Sequence, residues 1–338
     1  MMTESIRNKE ALPNLQTDKK DPVVTLQYLP VGLFGETVAI SALSIEWRQA
    51  TLLFGAAPGI PVVIGIIAIA IFILLTVLYL LKIIKYPSSV KNELSHPVFG
   101  NFAGTFFISA ILIATIIVPF SLSIGRVIWL AGTAGGVGFM YLLTVRMFNG
   151  NIDILNAVPP ILIPGLVVLN AATSGVGMHF GSWGKEADLI LFSFGIIPVF
   201  SLFIIILYRL MHRETIDAFL QPTLLLMSAP FEVSFLAYVS QFKTIDTFAS
   251  AIFFFGLLVF VIVFFKVFKK GFPFMISWWA ASFSLGALAN ASLEYDIVGH
   301  DPLVKDIAAF LLIASSIMTA ITFYCTMRRH FSGKLLHP

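Results

Sequence analysis

Residues 49–81 contain no Asp, Glu, Lys or Arg, and residues 94–125 form a second charge-free run of similar length. A helix needs roughly 20 apolar residues to cross about 30 Å of hydrocarbon, and in lipid every backbone amide must find its partner within the protein. Such runs recur along the chain. They predict transmembrane helices near residues 26–45, 59–81, 97–120, 127–145, 158–173, 189–208, 222–238, 247–265, 273–293 and 307–324. Composition agrees: 58% of the residues are apolar and 12% charged, about half the charge of a soluble domain. So few polar side chains could not cover a water-soluble core of this size. The expected fold class is an all-α integral membrane protein with ten transmembrane helices.

The basic residues carry the topology. If both termini are cytoplasmic, the tails and the loops after even-numbered helices hold sixteen of the 21 Lys and Arg residues, among them Lys82, Arg146, Arg209, Lys266 and Arg328. Only Arg48, Arg126, Lys185, Lys243 and Lys305 fall on the other side. That asymmetry is the positive-inside pattern. It predicts a multi-pass protein of the cell membrane with a disordered cytoplasmic tail over residues 1–25, a membrane domain over 26–327 and a cytoplasmic tail over 328–338. These basic residues lie singly at the ends of apolar spans and not in an aromatic-flanked patch, so a net charge of +3 does not point to nucleic acid. Cys325 is the only cysteine. No disulfide is therefore possible within the chain, and no metal-ligand spacing or cofactor motif is present.

The first basic residue after each even helix falls at 82, 146, 209, 266 and 328, so the spacings are 64, 63, 57 and 62. This is the mark of five tandem helical hairpins, each leaving on an odd helix and returning on an even one, able to close as a quasi-fivefold ring. Prolines decide which helices face inward, because broken backbone is tolerated only where protein or water satisfies it. Pro30, Pro119, Pro164 and Pro230 belong to odd helices and are the expected kinks. Glu36, Asn101, Asn170, Glu232 and Asn290 also fall in odd helices. Odd helices are expected inside, lining a pore, with even helices toward lipid. Gly132-Thr-Ala-Gly-Gly-Val-Gly138 lies inside a membrane helix and reads as close helix packing, suited to contacts between subunits, and not as a phosphate loop.

Five segments, one in each odd helix, now carry a resemblance. They are Pro30-Val-Gly-Leu-Phe-Gly35, His96-Pro97-Val98, Val158-Pro-Pro-Ile-Leu-Ile-Pro-Gly165, Gln221-Pro-Thr-Leu-Leu-Leu-Met-Ser-Ala-Pro230, and Trp278-Trp279 with Phe283. In this order the chain resembles the slow-anion-channel, tellurite-resistance and C4-dicarboxylate-transporter family from Pro30 to about Tyr324. The resemblance implies a central pore in each subunit of a trimer, with an inward phenylalanine, here Phe283, as gate. It also implies that Trp279, on the same helix face as Phe283, looks into the pore; Phe34, Phe231 and the polar residues named above are expected to line it from their positions in odd helices, although Glu36 and Glu232 stand where the family is expected to have apolar or small residues. Family members often carry proline directly after the gate phenylalanine, where this chain has Ser284.

The function expected is passage of small anions such as chloride, nitrate or carboxylates through a homotrimer embedded in membrane lipid. The alternative is a proton-coupled transporter of C4-dicarboxylates or oxyanions (malate, tellurite, sulfite), with Glu36 and Glu232 as a titratable pair. An enzyme is not expected, since the six histidines show no metal spacing and no nucleophile set is apparent. His96, before Pro97, reads as a capping histidine. Counted from Pro273, Phe283 lies ten residues into its helix, about 15 Å deep and so near mid-bilayer.

Overall fold

A computed structural model describes residues 26–150, 153–269 and 273–332. The tail over residues 1–25 lies outside them. All regular structure among the described residues is helical: α1 Phe34–Phe54, α2 Gly59–Lys85, α3 Pro87–Ser95, α4 Gly104–Ile117, α5 Leu122–Phe148, α6 Ile163–Gly175, α7 Ser182–His212, α8 Ala229–Phe242, α9 Thr247–Phe268, α10 Trp278–Gly299 and α11 Pro302–Phe331. Short polar side chains start several of them. Ser121 accepts the Ile124 N–H before α5, and Asp301 accepts the Leu303 and Val304 N–H groups before α11, where Pro302 loses nothing by lacking an N–H. Helix α11 continues to Phe331, past residue 328.

Four helices enter through a stretch of 3-10 helix: Val31–Leu33 before α1, Phe99–Ala103 before α4, Pro159–Leu162 before α6 and Ala218–Met227 before α8. The expected kink prolines divide accordingly. Pro164 and Pro230 sit in the first turn of α6 and α8, at the change from 3-10 to α, where a ring that clashes with the carbonyl four residues back forces that break. Pro30 precedes the Val31–Leu33 turn of 3-10 helix. Pro119 is a correction: it lies in the turn after α4 and ends that helix without kinking it, as proline does beyond a helix end.

Eight segments among the described residues are long and apolar enough to cross a membrane. Within the apolar windows of the three beginning at Phe99, Pro159 and Ala218, burial is 67, 78 and 89%, against 22 to 39% for α2, α5, α7, α9 and α11. The exposed group presents Ile66, Tyr141, Ile197, Phe265 and Phe310 outward. A bilayer covers such a surface; water would not. The long helices α1 and α10 stand apart, because α1 carries Glu36, Glu46 and Arg48 and α10 is rich in small and polar residues. Both are nevertheless mostly buried. Enclosure by protein removes the need for an apolar surface, and so the charge-free runs misplace these two helices. Expected at 26–45 and 273–293, they run over Phe34–Phe54 and Trp278–Gly299. Phe283 is thus five residues into α10, about 7.5 Å from its start, and not ten.

The buried helices contact one another in sequence: α1 packs on α4, α4 on α6, α6 on α8, α8 on α10, and α10 on α1. Each is accompanied by the exposed helix that follows it, α2 on α1, α5 on α4, α7 on α6, α9 on α8 and α11 on α10. Glycines allow the close approaches. A Cβ at Gly132 would stand 3.2 Å from the Ala110 Cβ, and one at Gly136 would collide with Val167 Cγ1. Gly135 likewise packs on Phe107. These three glycines are occupied by α4 and α6 of the same chain, so the expectation that they serve subunit contacts is corrected; Gly138 alone of the four faces open space.

Candidate functional site

Three cavities share lining residues. The first, about 290 Å³, is bounded by Pro30, Gly32, Glu93, His96, Phe102, Phe219 and Ile276. The second holds only about 20 Å³ and draws on all five buried helical segments: Gly35 and Val38, Thr105 and Ile108, Ile163, Leu226, and Trp279, Ala280 and Phe283. The third, about 420 Å³, is bounded by Arg48, Gln49, Asn170, Ser174, His179, Lys243, Phe283, Asn290 and Glu294. Gly32, Phe102 and Ile276 belong to the first and second, and Phe283 to the second and third. The middle cavity has room for a water or so. Thr105 apart, its named side chains are apolar, so it offers almost nothing in exchange for a hydration shell.

The first cavity is built around Glu93, on the short helix α3. Its Oε1 accepts the Val31 N–H at 2.6 Å, and its Oε2 accepts from Lys82 Nζ at 2.7 Å and from the Tyr79 hydroxyl at 3.2 Å. Lys82 Nζ also donates to the Leu29 carbonyl at 2.6 Å. One carboxylate therefore ties α3 to α2 and to the 3-10 turn before α1. His96 Nδ1 lies 3.1 Å from the N–H groups of both Val98 and Phe99, the arrangement of a capping side chain.

The third cavity is the polar one. Arg48 Nη1 donates to the Thr115 carbonyl at 3.1 Å, and Gln49 Nε2 donates to Glu294 Oε2 at 3.0 Å. Asn170 and Asn290 each donate an amide N–H to a backbone carbonyl of the preceding turn, at 2.8 and 3.2 Å. Each Nδ2 carries two hydrogens, and Asn170 makes one such bond. Lys243 and His179 occupy left-handed backbone, with φ of 53° and 52°, at the C-terminal ends of α8 and of the turn after α6. Helix carbonyls left free at such ends make a negative pole, which a cation beside it offsets.

The sequence-derived site residues separate into two groups. Phe283, Trp279, Asn170 and Asn290 line the second or third cavity. Phe34, Glu36, Asn101, Phe231 and Glu232 line none of the three. The Phe34 ring packs against Phe106 and Phe72, with centroids 5.1 and 6.0 Å away. Asn101 bonds the carbonyls of Pro97 and Val98. Phe231 is held by Phe200, Phe203 and Phe255 at 4.8 to 5.0 Å. Glu232 lies under α9, where Gly256 packs. Among the described residues Glu36 Oε1 and both carboxylate oxygens of Glu232 and of the fully buried Glu46 have no hydrogen-bond partner in good geometry, with the Ser228 and Ser315 hydroxyls as the near neighbours of Glu232 and Glu46. Successive helix residues turn by about 100°, so membership of a buried helix says nothing about which side chain meets the cavity.

Arg48, His179 and Lys243 were missed by sequence reasoning, which treated Arg48 and Lys243 only as topology marks. Their signal was positional: each lies close to the C-terminal end of a buried helix.

Sequence comparison adds an independent line. The family model described as Voltage-dependent anion channel matches residues 28–327. An uncharacterized transporter of Methanocaldococcus jannaschii is 26% identical, with 79% of this chain and 84% of the relative covered. The tellurite resistance protein TehA homolog of Haemophilus influenzae is 25% identical, covering 90% and 92%. The S-type anion channel SLAH3 of Arabidopsis thaliana is 24% identical; the match takes in 99% of this chain but 53% of that longer protein.

Proposed function

The chain belongs to the voltage-dependent anion channel family, and from that premise we propose that it conducts small anions along the three cavities, with Phe283 as the barrier. The reading includes five hairpins closed as a ring around the passage, ten membrane spans with α1 and α10 among them, both termini cytoplasmic in the cell membrane, and a homotrimer with one passage in each subunit. The contact cycle of α1, α4, α6, α8 and α10 supports the ring. The observation that carries the proposal is the position of Phe283, which bounds both the roughly 20 Å³ constriction and the roughly 420 Å³ cavity. A benzyl ring at a narrow apolar constriction excludes water, and dewetting alone blocks an ion.

Arg48, Lys243 and His179 bring basic side chains to the wide cavity. Two full cations against Glu294 raise the local concentration of anions in the wide cavity, while the apolar constriction favours those that dehydrate readily. Chloride and nitrate fit this description, as do small carboxylates. Relatives named for tellurite resistance and for S-type anion conduction support the anion class.

The test is anion flux into proteoliposomes across a panel of anions, comparing wild type with Phe283→Ala and with Phe254→Ala as a lipid-side control. Phe283→Ala is expected to raise flux tenfold or more, equivalent to at least about 1.4 kcal/mol off the barrier. A destabilised Phe283→Ala protein with unchanged flux refutes the gate.

A second reading, a proton-coupled carrier of dicarboxylates or oxyanions, rests on the carboxylates of Glu36, Glu46 and Glu232. They lie buried without a cationic partner among the described residues, which marks intramembrane acids as candidates for proton relays. Flux driven by a pH gradient, and lost in Glu36→Gln or Glu232→Gln, distinguishes this carrier from a channel.

A further inference from the structure

A fourth cavity lies between α1, α2 and α4 beside the proposed passage, and shares Ile45 and Arg48 with the third cavity. It has a volume of about 430 Å³ and is lined mainly by apolar side chains, among them Val62, Ile66, Ile69 and Ile116, with Ser44, Thr51 and Arg48 as its polar members. This is within the size range of ligand sites, about 300–1,000 Å³. Along α2 it runs from Pro58 and Pro61 to Ile69, roughly 15 Å at 1.5 Å per residue. That is half the hydrocarbon thickness, the depth of one leaflet.

One end of the groove is charged. Arg48 lines it near the C-terminal end of α1, close to the α1–α2 turn and therefore near the membrane–water boundary. Arg48 makes no salt bridge among the described residues. Its one hydrogen bond there, from Nη1 to the Thr115 carbonyl, leaves other guanidinium N–H groups free. A mainly apolar trough one leaflet deep, ending in an arginine at headgroup level, is complementary to a lipid with an anionic head. We propose that this groove binds one acyl chain of an anionic phospholipid, with the headgroup phosphate on Arg48. Phosphate accepts the guanidinium fork in paired hydrogen bonds, which a zwitterionic headgroup offers with less net attraction.

Arg48 also lines the wide third cavity. A bound anionic headgroup therefore neutralises one of the two full cations facing that cavity and lowers its attraction for anions. Only this consequence rests on the transport reading above.

The experiment uses full-length protein in mild detergent, with retained lipid measured by native mass spectrometry after incubation with phosphatidylglycerol or phosphatidylcholine. Wild type should retain phosphatidylglycerol preferentially. Arg48→Gln should reduce that preference about fivefold, the share of one basic residue at an anionic surface, while Val62→Trp, which fills the groove, should abolish retention of both lipids there. Equal retention of the two lipids by wild type, or unchanged retention in both variants, overturns the site. So does a disulfide-linked dimer formed through Val62→Cys in a Cys325→Ser background, which would give the groove to a second copy of the chain. In vesicles, anion flux should fall as the phosphatidylglycerol fraction rises, and Val62→Trp should remove that dependence. Lipid retention without any flux response overturns the link to the cavity and leaves the binding site standing.

Discussion

Replacing Lys82 by methionine keeps most of the side-chain volume and removes one charge from the Lys82–Glu93 pair. The pair is 2.7 Å apart, with side chains 3% and 15% exposed. Removing one partner of a buried ion pair costs about 3–5 kcal/mol, because the other charge is left without compensation. Glu93 retains the Val31 N–H and the Tyr79 hydroxyl and some access to water, so Lys82→Met belongs at the lower end, about 3 kcal/mol. Glu93→Gln leaves the more buried Lys82 without a counter-charge, with the Leu29 carbonyl and the Tyr79 ring face beside it, and belongs nearer 4 kcal/mol. Because Glu93 joins α3, α2 and the turn leading into α1, the damage should concentrate around the first cavity. Thermal unfolding in detergent gives the overall cost, and hydrogen exchange locates it, with faster exchange at Val31 and in α3. The double variant Lys82→Met/Glu93→Gln should recover much of the loss, as replacement of both charges does. Additive losses, or single variants within about 0.5 kcal/mol of wild type, would refute the assignment of this pair as the tie across the three elements.

Gly100→Ala should destabilise the protein and disturb α3, since a Cβ there would meet the Leu94 carbonyl oxygen; a melting temperature unchanged from wild type would contradict this. Asp246 caps α9 through the Ala249 N–H, which holds its carboxyl below the usual carboxylate range. Its stabilising contribution is therefore full above the usual carboxylate pKa and disappears as pH falls through the lowered one. Asp246→Asn, which still accepts the N–H, should flatten that part of the stability–pH curve, as measured by thermal unfolding from pH 2 to 7. Lys243→Gln should reduce anion flux at low ionic strength by several-fold and by little in high salt, because screening removes the same attraction; flux measured in both salts checks it.

The membrane class and the family were legible in the sequence because the signals for both are local. Charge-free length reports lipid, basic residues report loop ends, and the proline-bearing segments report where backbone breaks are tolerated. The 3-10 to α changes at Pro164 and Pro230 were equally local. Phe283 and Trp279 were reached through the family resemblance, and both line the small middle cavity.

Other features depended on tertiary structure. The position of α1 and α10 along the chain escaped hydropathy, since a helix enclosed by neighbours can carry Glu46 or Glu294 without exposing them to hydrocarbon. The short helix α3 has too few apolar residues to signal a span, and its function as a tie appears only when Glu93 meets Lys82 and Val31. Helix rotation made the largest difference. Two asparagines, Asn170 and Asn290, meet the wide cavity, while Asn101, on a helix of the same buried set, turns to its own backbone. A rotation of about 100° per residue is decided by how neighbouring ridges and glycines interlock, and that information is spread over every helix in contact, so no single segment of sequence contains it.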